Sequence, residues 1–498
     1  MTSPTADDPP ATGGRLRRLA PRLRMVAAGV LAAFALGPWG WWPLAIIGMA
    51  MTFDSVNQPI GRRERFVRVW WFMLGYYVLG VAFIIDLTIP GYLIAVPVLA
   101  AVMAAPHNIA GPAATRGMGF VAAIVVGEAW RWAFPFGGVP MGGFALGQVN
   151  GPLLPVASTL GALGVVAVAA TLAVGVAHTY RRRPRQAGIH LIVVGLALVL
   201  AHVDADTTPN GSFTASSVQG GGSLGTNAET SDQAPVFTRH LEATSEAPNG
   251  SVVLWPESAV IVTGDFARSN KFERLAELAV EKDLTLIVGV TQKHDRTFDN
   301  LAVVISPTGH IVDEYQKVHL VPFGEYVPFR SFIAKFADLS LIPRDAAPGK
   351  GAGFLQTPNG PAAVGISVEI YFPERIRSGI VEGGEFIVNP TLASSYRTTH
   401  VPEQSLASAR LRAVESGRWV LQSSTTGYTA IVDNTGKVIG RSGLKEKAII
   451  TADVEKRIGD TWATRLGKHP ITLVSLITLA ALALLHPRNN AARVKPRE

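Results

Sequence analysis

Ala362-Ala363-Val364-Gly365-Ile366-Ser367-Val368-Glu369-Ile370 is a short apolar run that ends on a hydroxyl, with an acid two residues further on. The apolar part reads as a buried strand, and a small nucleophile-bearing residue at a strand end is a common catalytic placement. Similar strand-end patterns surround it. Val252-Val253-Leu254-Trp255 reads as a buried strand leading into Pro256-Glu257-Ser258. Phe272 to Lys282 has helical periodicity, and Leu284 to Val290 is a continuous apolar strand. Leu301 to Ile305 and Ile311 to Tyr315 read as a hairpin across Pro307-Thr308-Gly309. Glu385 to Val388 is a further strand, Gln404 to Glu415 a helix, and Trp419–Gln422, Thr429–Val432 and Lys437–Ile439 close the segment as strands. Strands that alternate with helices, many of them apolar on both faces, indicate a layered α/β domain over 231–458. The Gly/Ser/Asn/Thr-rich stretch before it (204–230) reads as a linker. Residues 329–350, with Phe329, Phe332, Phe336, Leu339, Leu341 and Ile342, read either as a lid dipping into a membrane or as a helix covering the sheet.

The rest of the chain has a different composition. Its 498 residues exceed what one soluble core needs, so two or more units are expected. With 48% hydrophobic and only 16% charged residues, and a mean hydropathy of +0.27, part of it is expected in a bilayer. Apolar runs occur at Met25 to Met51, broken at Gly37-Pro38-Trp39-Gly40, and near 66–86, 91–108, 117–134, 153–178, 188–203 and 471–485. A membrane helix needs about 20 residues. The pattern therefore predicts a multi-pass α-helical domain of about seven helices over 25–203 and one more at 470–486. Arg and Lys gather in the basic tail 1–24, at 62–68, at Arg181-Arg182-Arg183-Pro184-Arg185 and in the tail 487–498, while the alternate loops have none. The positive-inside rule then places both termini in the cytoplasm and segment 204–469 outside, in a cell (inner or plasma) membrane. The net charge of +8 is thus topological, which excludes a nucleic-acid surface. Absence of cysteine excludes disulfides, thiolate metal sites and a thiol nucleophile. Dispersed histidines and no phosphate loop give no metal and no cofactor.

Three stretches carry chemistry: Trp255-Pro256-Glu257-Ser258, Tyr315 to Pro328 with Lys317 and Glu325, and Gly365 to Glu369. In this order they resemble the Glu-Lys-Cys site of the nitrilase superfamily. With membrane helices on both sides the chain resembles the apolipoprotein N-acyltransferase family within it. Val218-Gln219-Gly220, Glu128-Ala129-Trp130-Arg131 and Phe134-Pro135 are similar to that family as well. The resemblance implies an extracytoplasmic nitrilase-like (α-β-β-α sandwich, CN hydrolase) domain. It also implies transfer of a fatty acyl chain from a membrane phospholipid, through an acyl-enzyme, to the α-amine of a diacylglyceryl-cysteine lipoprotein. Glu257 would be the general base, Lys317 the oxyanion partner and Ser367 the nucleophile, with Glu325 and Glu369 orienting the Lys and the base.

The chain departs from the family at three places. Ser367 and Val368 stand where the family has Cys and Tyr, and Pro390-Thr391-Leu392-Ala393-Ser394-Ser395 replaces its polar-aromatic stretch. The linker after Gln219 lacks its Lys-Trp pair. A Ser hydroxyl is far less acidic than a thiol of pKa about 8.5 and needs its base throughout. A second reading follows from this: a catalytically weak or inactive homologue that binds lipoprotein or phospholipid, or supports an active paralogue. A soluble-type amidase fits the domain and leaves the apolar runs unexplained.

Overall fold

The computed structural model describes residues 12–109, 115–203, 206–222, 234–335, 338–339, 342–392 and 400–485. The C-terminal basic cluster, Ala393-Ser394-Ser395, Phe336 and Leu341 lie outside them. The N-terminal half is a bundle of α1 (Thr12–Ala33), α2 (Trp42–Val56), α3 (Arg62–Gly80), α4 (Ile89–Ala104), α5 (Arg116–Arg131), α6 (Ala157–Tyr180) and α7 (Pro184–Leu200). The first apolar run divides into α1 and α2 around Gly37-Pro38, as proline requires. Two helical segments, Ile89–Asn108 and Leu154–Tyr180, are long and apolar enough to cross a membrane. Trp42–Val56 and Pro184–Leu200 are shorter apolar helices. The outer face of α7 is apolar, with Ile189, Ile192, Leu196 and Val199 all exposed.

The second half carries fourteen strands among the described residues. They are β1 (Thr208–Gln219), β2 (Val252–Leu254), β3 (Val260–Thr263), β4 (Thr285–Lys293), β5 (Thr297–Ile305), β6 (Ile311–Gln316), β7 (Asp345–Ala346) and β8 (Phe354–Leu355). There follow β9 (Ala362–Val364), β10 (Phe386–Thr391), β11 (Val420–Ser424), β12 (Ala430–Val432), β13 (Val438–Arg441) and β14 (Ala448–Ile458). One sheet runs β14-β1-β2-β4-β5-β6, with β3 on β4 and β7 on β5; the other runs β13-β12-β11-β10-β9-β8.

Alternation along the strands builds the layers. Val252, Leu254, Ile287, Ala302 and Val304 face Val364, Phe386, Val388 and Leu421 between the two sheets. The opposite residues of the first sheet, Val253, Leu286, Val288 and Val303, share a core with Phe237 of α8 (Ala234–Thr244) and with Leu275 and Ala279 of α9 (Asn270–Lys282). Ala363 and Ile387, on the second sheet's outer face, meet Ile376 and Ile380 of α10 (Pro373–Val381) and Leu406 and Ala409 of α11 (His400–Ser416). The result is helix, sheet, sheet, helix. The α10/α11 layer continues into the core of the N-terminal bundle, so the domain sits on the bundle through these two helices. After β14 the chain ends in α12 (His469–Leu485), apolar and laid against α5.

Two expectations change. The stretch Thr207 to Thr230 is not simply a linker, because Thr208–Gln219 forms β1 in the middle of the first sheet, between β14 and β2. Its Ala215, Ser216, Ser217 and Val218 are buried. Small hydroxyl residues hide such a strand from any hydrophobic pattern, since ladder pairing rather than side-chain bulk holds it. The described part of the 329–350 segment contributes one helical turn, Arg330–Ile333, with Phe329 and Phe332 exposed, and the short strand β7 on β5. Phe329 meets Phe136 of the bundle at 6.3 Å between ring centroids, so this end of the segment turns to the bundle.

Candidate active site

Glu257 follows β2 directly. The chain there is fixed by Trp255, fully buried, whose indole Nε1 donates to Thr244 Oγ1 at 2.8 Å and whose backbone N donates to Ile287 O at 2.8 Å. Ser258 then turns with φ 55°, its hydroxyl 2.7 Å from Thr291 Oγ1. Gly289 on β4 lets this loop come close: a Cβ there would lie 2.2 Å from Pro256 O and 2.6 Å from Glu257 Cα. Lys317 is the first residue past β6 and its N donates to Asn300 O at 2.9 Å.

These anchors bring three charges into one buried cluster. Lys317 Nζ donates to Glu257 Oε1 at 2.8 Å and to Glu325 Oε1 at 2.9 Å, and the lysine is 1% exposed. Asn300 Nδ2 donates to the same two oxygens at 2.7 and 2.8 Å. Val321 N donates to Glu325 Oε2 at 2.8 Å, and Leu392 N to Glu257 Oε2 at 3.0 Å. Burial works against the Lys317 cation, but Glu257 and then Glu325 outweigh it and raise its pKa above that of free lysine. Burial lifts the Glu325 pKa above the ordinary carboxylate value; Lys317 opposes this and the Glu257 charge adds to it. A lysine kept charged beside two acids is suited to stabilise a negative oxygen.

Ser367 sits at the turn after β9 with φ 54°, a left-handed conformation that costs a non-glycine residue about 1–3 kcal/mol. The surroundings enforce it. Gly365 N donates to Val388 O at 3.1 Å and Asn389 Nδ2 donates to Gly365 O at 2.5 Å. Glu369 completes the clamp. Its carboxylate accepts from Ile366 N, Val318 N and His319 N and from the Tyr315 hydroxyl, each at 2.9 Å. Burial disfavours its charge, but the His319 side chain and the amides of His319 and Ile366 prevail and hold its pKa below the ordinary range.

Glu369 is thus misplaced by the sequence reading. It does not hold the Lys317 or Glu257 side chain; it ties the Ser367 turn to the backbone that follows Lys317. The other four residues converge less evenly. Glu257, Lys317 and Glu325 touch, whereas Ser367 reaches them through β10: Thr391 Oγ1 donates to Ser367 Oγ at 3.4 Å, and the next residue's amide holds Glu257. Among the described residues no hydrogen bond joins Ser367 to Glu257 or Lys317. Asn300 and Thr391 escape a reading based on charged motifs. Asn300 lies in phase with Ala302 and Val304 on β5, so extending that strand's alternation inward would have found a polar residue aimed between the sheets.

Ser367 and Thr391 also line a cavity of about 870 Å³. Its walls come from both halves of the chain: Ile84, Ile94 and Val98 with the loop Pro135 to Met141 from the bundle, and Val368, Tyr371 and Val401 from the domain. The loop is held by Arg131, which donates to the carbonyls of Val139, Pro140 and Met141 while paired with Glu128. A hydroxyl on a strained turn therefore opens into an apolar chamber next to a buried acid and a buried cation.

A two-sheet sandwich with Glu257, Lys317 and Ser367 just past three of its strands defines the class. Residues 214–462, half of the chain, match the carbon-nitrogen hydrolase family, and the chain belongs to it. Residues 28–175 match the Apolipoprotein N-acyltransferase N-terminal domain, which places it in that membrane-associated branch of the superfamily. Proteins named apolipoprotein N-acyltransferase are similar over most of their length. That of Photobacterium profundum is 26% identical, covering 94% of this chain and 95% of its own. That of Allorhizobium ampelinum is 27% identical over 86% and 88%, and that of Shewanella oneidensis 24% over 73% and 70%. Among solved structures, the nitrilase-superfamily protein Nit3 of Saccharomyces cerevisiae aligns over 58% of this chain and all of its own, at 19% identity and a TM-score of 0.39.

Proposed function

We propose that the protein transfers a fatty acyl chain from a membrane phospholipid to the N-terminal α-amine of a diacylglyceryl-cysteine lipoprotein, with Ser367 as the acyl carrier. One observation carries the reading: Ser367 opens into the apolar cavity that the helical bundle and the carbon-nitrogen hydrolase domain form together. An amidase of small substrates has no use for a chamber of about 870 Å³ walled by membrane-type helices.

In the first half-reaction the Ser367 Oγ attacks the ester carbonyl of the phospholipid. Glu257 takes the hydroxyl proton, Lys317 faces the oxyanion, and the lysophospholipid alkoxide leaves with that proton. In the second, the lipoprotein amine attacks the acyl-serine ester, Glu257 takes a proton from nitrogen, and Ser367 recovers it as the amide forms. Glu325 keeps Lys317 in place, and Glu369 holds the Ser367 turn against the Lys317 backbone. A hydroxyl is a harder nucleophile to activate than a thiol, and Glu257 Oε1 is already engaged by Lys317 and Asn300. Serine is therefore the slow element of this site.

The reading includes a multi-pass arrangement with both termini cytoplasmic and the hydrolase domain outside. It is supported by the exposed apolar faces of α7 and α12 and by the charge of the turns. Arg62, Arg63, Arg181, Arg182 and Arg183 lie at the α2/α3 and α6/α7 ends, and the turns at 34–41 and 132–156 have no Lys or Arg.

The test is N-acylation of a diacylated lipopeptide by purified protein with phospholipid in detergent, followed by mass. Turnover lost in Ser367→Ala and in Glu257→Ala, and raised at least tenfold in Ser367→Cys because a few per cent of a thiol is thiolate at neutral pH, is the expected result. Undiminished turnover in Ser367→Ala overturns the assignment.

A further inference from the structure

The end of the bundle remote from the hydrolase domain has a surplus of positive charge that its own acids do not neutralise. Among the described residues two carboxylates stand there and both are committed: Asp54 to Arg181 at 2.6 Å and Glu64 to Arg68 at 2.8 Å. Arg65 and Arg116 have no ion pair among the described residues. Arg65 is 6% exposed, yet it gives only Nη2 to Ile60 O at 3.2 Å, and its Nε has no partner. Arg116, on the first turn of α5, gives Nη1 to Asn57 O at 2.7 Å and also leaves Nε unpartnered. His107, 2% exposed, bonds through Nδ1 to Met103 O at 3.1 Å, and its Nε2 is free.

These three side chains line one notch of about 20 Å³ with Asn57, Phe53 and Phe120. Two guanidinium groups of like sign that share a notch without a carboxylate repel each other. An anion removes the conflict. The volume accepts about one oxygen atom, so the ligand must present an oxygen and keep its bulk outside. Arginine donors and the α5 N-terminus suit a phosphoryl oxygen.

We propose that Arg65 and Arg116, with His107 as a wall, form a phosphate-binding notch that seats one oxygen of an anionic phosphate group, as carried by a phospholipid headgroup or by free phosphate. The site lies across the bundle from Ser367 and does not depend on acyl transfer. Basic pockets between helices at a membrane surface bind lipid phosphates in this way.

The test uses the purified full chain in a neutral detergent and native mass spectrometry with phosphatidylglycerol and, separately, inorganic phosphate. Wild type is expected to hold one more phosphate-bearing ligand than Arg65→Gln/Arg116→Gln, and Arg116→Gln alone, at a half-buried position that spares the fold, weakens it at least tenfold. If millimolar inorganic phosphate displaces the lipid from this site, free phosphate is a natural occupant; if it does not, the headgroup is. Equal retention of both probes by wild type and the double variant overturns the proposal. So does an equal loss in Arg63→Gln, an exposed residue of the same turn, since bulk surface charge would then explain the binding.

Discussion

Replacing Lys317 by methionine tests whether the buried cluster is charged, independently of turnover. Among the described residues the lysine is the only cation on Glu257 Oε1 and Glu325 Oε1, at 2.8 and 2.9 Å, and it is 1% exposed. Both oxygens also accept from one Asn300 nitrogen at 2.7 and 2.8 Å, so they lie no more than about 5.5 Å apart. Two such carboxylates repel by about 3 kcal/mol at an effective dielectric constant of 20. Removing one partner of a buried pair costs about 3–5 kcal/mol in general. The two figures agree, and for a domain of this size they correspond to a melting temperature lowered by on the order of 10 °C. The sign with pH is opposite to that of an ordinary carboxylate. In Lys317→Met the cation that opposes the burial-raised pKa of Glu325 is gone, so its folded pKa rises further above the unfolded value of about 4.3 and the folded form gains a proton first. Stability lost at pH 8 therefore returns as the pH falls through the raised folded pKa towards the unfolded one. Thermal unfolding at matched scan rates, at pH 8 and pH 5.5, reads this directly, and Lys317→Met/Glu325→Gln should regain most of the loss at pH 8. Equal stability of Lys317→Met and wild type at pH 8, with no dependence on pH, would refute the charged-cluster argument.

Three other outcomes are expected. Gly289→Ala brings a Cβ within 2.2 Å of Pro256 O, so the Glu257 loop must retreat by about 1 Å; turnover should fall about 100-fold with a stability loss of about 1–3 kcal/mol, and wild-type rates in this variant would contradict the placement of Glu257. His240 is buried and neutral, its Nδ1 bonded to Val236 O and its Nε2 accepting from Gly220 N, and burial is the main cause that pushes its pKa down to about 4. The unfolded chain therefore binds a proton near pH 6.5 that the folded chain refuses, and stability falls by roughly 3 kcal/mol between pH 6.5 and 4. His240→Gln should be less stable at pH 8 and lack that component of the acid slope; parallel pH profiles would exclude it. Orientation is open to labelling because the chain has no cysteine: in intact cells an impermeant maleimide should modify Thr435→Cys and spare Arg182→Cys, and the reverse pattern would invert the topology.

The strands around the site were legible because burial on alternating faces leaves a period-two or continuously apolar trace. The β4/β5/β6 run and the β9 strand before Ser367 show it plainly. Glu257 and Lys317 were legible as charges just past strands, against apolar neighbours, and Glu325 through the family resemblance of the stretch that carries it. β1 was not, since Ala215, Ser216 and Ser217 are buried by sheet pairing while their side chains are indistinguishable from a linker's. Asn300 and Thr391 were not, since an amide or hydroxyl inside a strand has meaning only once its partner across the sheets is known. Glu369 was legible as a charge two residues after Ser367, but its partners were not: the turn aims it at backbone amides of the Lys317 loop.

What the sequence determined by itself was local: where apolar runs begin and stop, which strand ends carry an acid, a lysine or a hydroxyl, and which loops are basic. These follow from patterns within a few residues, where burial and chain geometry act directly. Only the tertiary structure decided that Lys317 is held between Glu257 and Glu325, that Ser367 meets them through Thr391, and that the bundle and the domain close one cavity over it. Those facts arise between residues 8 to 60 positions apart at the site, and 262 apart where Gly142 of the bundle meets Gln404 of the domain, and electrostatics and close contact act through space, over a few ångströms, without regard to distance along the chain.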